Sequence, residues 1–177
     1  MAVDLKIKSN EKEIINKFKK LQSKLPRFID KGVKQAGFQL LDIIRTKTAK
    51  GIDARDVPFA QYSDSYRKQL QREGKPLKVD LFYSGRMLGA LTPSGRTIKK
   101  TGNNKVSVSF SNAQMRQRAL FNQVLNQPKR EFFGFNDRTE QIISKQFNRF
   151  VIKEIQKLKL WVYEKILHQI YYLPFQV

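Results

Sequence analysis

KVDLFYSGRMLGAL, Lys78 to Leu91, is the stretch on which the reading of the fold turns. VDLFY suits a short strand or an extended lead-in. The pattern then changes at Ser84, and SGRMLGAL suits a helical turn, with the Ser84 hydroxyl able to cap and Gly85 able to turn the backbone tightly. Two further aromatic segments flank it. VPFAQYSDSYRKQL, Val57 to Leu70, lies upstream, and REFFGF, Arg130 to Phe135, lies well downstream at the mouth of a helix.

Toward the N-terminus, Val3, Leu5 and Ile7 alternate with polar residues, as in a short strand or a pairing arm. Asn10 and Glu13 resemble a capping box. Ile14, Ile15, Phe18, Leu21 and Leu25 then share one helical face. Pro26 is expected to interrupt that helix and open a second one. The second carries Phe28, Ile29, Val33, Ala36, Leu40, Leu41 and Ile44 as its apolar stripe and ends near Lys50-Gly51. From Gly51 to Lys78 the chain is polar, with Pro58, Gly74 and Pro76, and reads as a long loop with a helical turn around Ser63 to Arg72. Loops of that length inside a domain tend to carry function.

Toward the C-terminus, Thr97 to Lys100 and Lys105 to Phe110 flank Gly102-Asn103-Asn104, a good hairpin signal. Val106, Val108 and Phe110 alternate with serines, so one hairpin face is buried. Ala113 to Asn126 reads as helix, with Met115, Leu120, Phe121 and Leu125 apolar, and Pro128 ends it. The last helix is the strongest. Asn136, Asp137 and Glu140 give it a cap and an acidic first turn. Ile143, Phe147, Val151, Ile155, Leu158, Val162, Ile166 and Ile170 follow at spacings of three or four. Continued to Tyr172 it would be about 55 Å long at 1.5 Å per residue. It must either break near Lys157 to Lys159 or project.

The 177 residues are enough for one domain with a real core, and 40% hydrophobic content excludes a disordered chain. The net charge of +20, from 35 Lys+Arg against 15 Asp+Glu, favours anionic partners: nucleic acid, an acidic protein surface or an anionic membrane. With no cysteine, disulfides and thiolate metal sites are out, in keeping with a reducing cytoplasm. No apolar run approaches the roughly 18 residues of a membrane span, and the first residues lack a signal-peptide core.

Catalytic signatures are missing. His168, the one histidine, has no nucleophile signature near it. Ser84-Gly85 is not a nucleophile elbow, and Gly85, Gly89 and Gly95 form no phosphate loop. Asp53 and Asp56 in a basic loop read as solvated carboxylates. Lys17, Lys19, Lys20 and Lys24 read as the solvated face of the first helix. A backbone-only DNA contact needs charge but little motif, so nucleic-acid binding stands as the competing class. A membrane-surface role for the C-terminal helix is weaker, because Tyr171 to Val177 lacks regularity and carries Pro174.

The order of these segments resembles the virion morphogenesis or tail-completion proteins of tailed bacteriophages, over roughly Phe28 to Phe150. A long N-terminal helix leads to Gly51, then to a Pro-Phe segment with Pro58, Phe59, Ser63, Tyr66 and Lys68. Leu81, Ser84, Gly85, Met87, Leu88, Ala90 and Leu91 follow. The hairpin TIKKTGNNKVSVSFSN comes next, and Arg130, Phe132, Phe133 and Gly134 lead into the closing helix. Two departures stand out. The Tyr-Ala and His/Asn-x-Gly elements usual after the hairpin are reduced to Asn122, and the apolar tail from Ile152 to Val177 runs past the usual end.

The resemblance implies an α+β fold, with helices packed on a small antiparallel sheet, in a structural virion protein that is not an enzyme and uses no cofactor or metal. Residues 1–151 would form the domain and its N-terminal arm, and 152–177 an interaction segment. The partners would be other neck, connector and tail proteins and further copies in a ring, near packaged DNA and away from membranes. The site would be the head–tail neck of the particle, assembled in the host cytoplasm. Trp161, Ile166, Tyr171 and Tyr172 are the candidate interface anchors, since aromatic residues dominate hot spots. Removing Trp161 to Val177 should leave a folded subunit that fails to assemble. Circular dichroism and solution mass test this, and an unfolded product would show that the tail belongs to the core.

Overall fold

The computed structural model describes residues 11–158. The expected arm at Val3, Leu5 and Ile7, the Asn10 cap, His168 and the interface candidates Trp161, Ile166, Tyr171 and Tyr172 lie outside the described residues. Helix α1 spans Glu11–Lys50, 40 residues, or about 60 Å at 1.5 Å per residue. Pro26 does not divide it, contrary to the sequence expectation. The proline ring fixes φ near the helical value, so its cost is one lost hydrogen bond, to the carbonyl of Gln22, and some crowding of that carbonyl. Pro26 and Gln22 are both exposed, so water can serve the orphaned carbonyl.

The two halves of α1 have different surroundings. Ile14, Ile15 and Phe18 remain 40–47% exposed, whereas Phe28, Leu41, Ile44 and Thr48 are buried on one face of the second half. Two glycines on that face let neighbours approach. A Cβ on Gly32 would stand 2.8 Å from the Phe147 ring, and one on Gly37 would stand 3.3 Å from Ile98 and Val106. Helix α1 ends as expected. Gly51 adopts φ +81, and Ile52 N–H donates back to the Lys47 carbonyl at 3.0 Å. Lys78 Nζ adds a cationic cap, donating to the Ala49 carbonyl at 2.6 Å.

Helix α2, Asp64–Arg72, starts at the N-cap Ser63 and buries Leu70. The expected strand through VDLFY is not formed. The Asp80 carboxylate accepts from Phe82 N–H at 2.9 Å, and Leu81 turns to φ +56. This side-chain bond to the backbone competes with the ladder a strand would need. One helical turn, α3, follows at Arg86–Gly89, and its cap is Gly85 rather than Ser84. The hairpin is β1, Ile98–Gly102, and β2, Lys105–Val108, paired antiparallel with Ile98 opposite Val108 and an irregularity between Lys100 and Gly102. Asn104 supplies the positive φ of the turn. Asp30 of α1 pins the hairpin tip, pairing with Lys100 and accepting from Asn104 N–H at 3.2 Å.

Helix α4, Ala113–Leu120, is capped by Asn112 and widens into a π turn over Phe121–Leu125. Met115 and Ala119 face the core. Leu120, Phe121 and Leu125, the other apolar positions of this segment, are exposed. Leu120 stands five residues after Met115, well round the α-helix from it, and Phe121 and Leu125 lie in the π turn that follows. Helix α5, Asp137–Gln156, is capped by Asn136, whose side chain accepts from Thr139 N–H at 3.0 Å. It runs antiparallel to α1 and ends at Gln156, beside the break point expected from the lysines. It passes through Val151 and Ile152 without interruption.

The fold is therefore α+β: long helices and a hairpin around one core of Leu41, Ile44, Phe59, Leu88, Leu91 and Phe132 with their neighbours. A polar junction ties the end of α1, the loop after it and the start of α5. Lys47 Nζ donates to Asp56 Oδ1 at 2.7 Å and to Thr139 Oγ1 at 3.0 Å, and Asn136 Nδ2 donates to Asp56 Oδ2 at 2.7 Å. The bonds from Lys47 and then Asn136 hold the Asp56 carboxyl below its ordinary 3.8. A lowered carboxylate stabilises the fold above its ordinary value, and that contribution is lost as pH falls through the lowered one. Asp56→Asn should lower the Tm at pH 7, since asparagine tolerates the φ of +69 but lacks the charge. The Tm gap to the unaltered protein should close as pH falls below the ordinary carboxylate range; a gap independent of pH would mean that the charge contributes nothing.

Candidate functional site

Three distant segments meet at one cleft of about 540 Å³, walled by Tyr62, Tyr66, Ser84, Gly85, Arg118 and Arg130 among others. The start of α2 and the segment before it set the tyrosine wall. Tyr66 is on the helix, Tyr62 precedes its cap, and their rings meet edge to face at 4.9 Å and 80°. Burial, and then the neighbouring Tyr66, raise the Tyr62 phenol above its ordinary range, while Arg130 pulls the other way. Tyr62 thus stays neutral at physiological pH. Tyr83 donates from its hydroxyl to Glu73 Oε2 at 2.8 Å, and Lys75 sits 4.6 Å over its ring.

The floor of the turn is Gly85. Its φ is +70, and a Cβ there would meet the Phe82 ring at 2.9 Å. The left-handed backbone and the stacked ring both require glycine. Ser84 stands beside it, exposed, on the cleft rim.

Arg130 is the buried cation of this cleft, 7% exposed. Its Nη2 donates to the carbonyls of Ala60 at 3.1 Å and Gln61 at 3.4 Å, and its guanidinium lies 5.0 Å from the Tyr62 ring centre. Its buried Nε–H meets no acceptor. Among the described residues no carboxylate lies within ion-pairing distance of Arg130 or Arg118, and the cleft lining holds neither Asp nor Glu nor Lys. The backbone around Arg130 is held by Asn122, whose carbonyl accepts from Arg130 N–H at 2.8 Å. Gln123 clasps Phe133 through both ends of its amide, at 2.7 and 2.8 Å.

The sequence-derived motif residues divide into two groups. Tyr66, Leu81, Ser84, Gly85, Met87 and Arg130 line the cleft. Phe59, Leu88 and Phe132 are core, and Phe133 packs partly buried against it. Pro58 is exposed and bridges to Ile52, and Gly134 lies against Ala54, where a Cβ would be 3.3 Å from that of the alanine. The sequence reading missed Tyr62, Arg118 and Phe121. The signal was present in their spacing, since Tyr62 stands four before Tyr66 and Arg118 four before Asn122.

Asp53 is not a solvated carboxylate: it is buried and accepts from the N–H groups of Arg55 and Val57, both at 2.8 Å. Asp56 is exposed, and its carboxylate also belongs to the junction described above. Lys19, Lys20 and Lys24 are exposed on α1, as expected. Among the described residues no cluster of His, Cys, Asp and Glu is set to hold a metal ion, and no helix is long and apolar enough to cross a membrane. Compared with known proteins, the chain matches no family model, no curated protein and no solved structure.

Gly85→Ala should destabilise the protein by about 1–2 kcal/mol, the cost of a left-handed non-glycine residue, with the Phe82 contact adding to it. Ser84→Ala should stay within about 0.5 kcal/mol of the unaltered chain, as exposed substitutions do. Urea unfolding of both variants checks this. A larger loss in Ser84→Ala than in Gly85→Ala would mean that the serine, not the glycine, secures the turn.

Proposed function

We propose that this chain is a structural subunit of a tailed-bacteriophage particle, of the virion morphogenesis or tail-completion kind, joining head connector to tail through contacts with its neighbours. The observation that carries the reading is the convergence of the motif segments. Pro58 to Tyr66, Leu81 to Leu88 and Arg130 to Gly134 carry the resemblance, and they pack into one unit around one cleft. What this unit presents outward also suits assembly. Tyrosines, an arginine and a phenylalanine are the residue types that dominate protein–protein hot spots. Its role is then a member of a neck ring in the virion, with connector and tail proteins and other copies as partners.

The net charge of +20 favours a second reading, a protein that holds the DNA backbone. Exposed Lys19, Lys20 and Lys24 on the first half of α1 would be its contact. The solution mass of the purified chain across salt, with and without duplex DNA, separates the two. A discrete multimer, or a monomer indifferent to DNA at physiological salt, supports the neck subunit. Tight DNA binding that collapses steeply as salt rises would overturn it in favour of the nucleic-acid reading.

A further inference from the structure

We infer that the cleft between α2 and Arg130 receives a segment of a partner protein that carries a carboxylate beside a large apolar side chain. The charge balance of the site comes first. Arg130 is more than nine-tenths buried, is held by neutral carbonyls and keeps one N–H unpaired. A buried cation without a counter-ion is costly, and the Tyr62 ring offsets only part of that cost. Arg118 lines the same cleft with no carboxylate within ion-pairing distance among the described residues. Two guanidinium groups and no acid form a site for an anion. Arginine rather than lysine selects a planar, fork-shaped anion such as a carboxylate.

The surroundings then choose among sources of that anion. The helix that brings Arg118 and Phe121 to the cleft also exposes Leu120, Val124 and Leu125, and this group is 46–56% exposed. Tyr83, also exposed, lines the cleft, and exposed Phe82 is its chain neighbour. Exposed apolar and aromatic side chains beside an arginine pocket match the residue types at the buried centre of a protein interface. A phosphate backbone would instead want rows of lysine and arginine, and the cleft lining holds no lysine. A second copy is a poor source of that carboxylate, because its acids are few, 15 Asp+Glu against 35 Lys+Arg. The occupant is therefore an acidic, apolar segment of a different chain. This deepens the assembly reading by naming the chemistry of one contact.

The test uses the full chain and three fluorescent probes. One is a short peptide alternating aspartate with phenylalanine and leucine. The second has asparagine in place of each aspartate. The third is a single-stranded DNA oligonucleotide of similar length. The first peptide should bind, and the asparagine peptide and the DNA should bind at least about tenfold more weakly. Arg118→Glu and Phe121→Ala, both at exposed positions that leave the core intact, should each weaken the first peptide about tenfold or more. Lys145→Glu on α5, which lines no part of the cleft, should leave it unchanged. Arg130 is kept because it holds the carbonyls of Ala60 and Gln61.

No binding, equal binding of the asparagine peptide, equal loss in Lys145→Glu, or stronger binding of the DNA would each overturn the inference. A chain that assembles with neck proteins but ignores the peptide loses this inference and keeps the assembly reading. A chain that binds the peptide but assembles with no virion protein does the reverse.

Discussion

Burying Phe132 sets a backbone problem that shapes much of the molecule. The ring is 1% exposed, so the peptide groups on either side of it run close to the core. Buried N–H and C=O groups must find partners, and among the described residues no strand lies alongside this segment to supply them. Three partners come from two other places. The Asn122 carbonyl accepts from Arg130, Ala54 N–H donates to the Glu131 carbonyl, and the Gln123 amide serves Phe133. In satisfying one segment, the chain fixes the end of α4 and the loop after α1 against each other. The cleft lies between parts held in this way.

Much of the fold was legible because it depended on local pattern. The Ser63, Asn112 and Asn136 caps, the Gly51 terminus of α1 and the hairpin at Asn104 are written within a few residues of where they act. Pro26 misled because an exposed proline in a long helix costs one hydrogen bond, while the stripe that continues beyond it buries an entire face. VDLFY misled because its apolar content suits both a strand and a turn, and the Asp80 carboxylate decided for the turn. The shift at Phe121 had no local mark at all. A π turn begins there, and Phe121, Val124 and Leu125 within it stay exposed.

The site was half legible. Tyr66, Ser84, Gly85 and Arg130 stood out as a pattern in order, but order along a chain does not say which residues share a wall. Tyr62 reaches the cleft from the irregular segment before α2, and Arg118 from the last turn of α4. Charge was legible only as a total. The acids that are placed mostly hold the fold together, as Asp30 does at the hairpin, Asp53 in its loop and Asp56 at the α1 junction. The positive surplus is therefore not evenly diluted. It is left where no acid has been assigned, and the cleft is one such place.

The Gln123 clasp acts as a single rung of antiparallel ladder built from a side chain. One amide supplies both a donor to the Phe133 carbonyl and an acceptor for its N–H. A carboxylate of the same length cannot do both. Chemical ageing can therefore reach the core through one position. Deamidation of Gln123 to glutamate would keep the acceptor and delete the donor, setting a carboxylate oxygen against the Phe133 carbonyl. The segment that carries Arg130 and Phe132 would then be tied to the end of α4 by the Asn122 bond and half a clasp, without any change of residue in either wall.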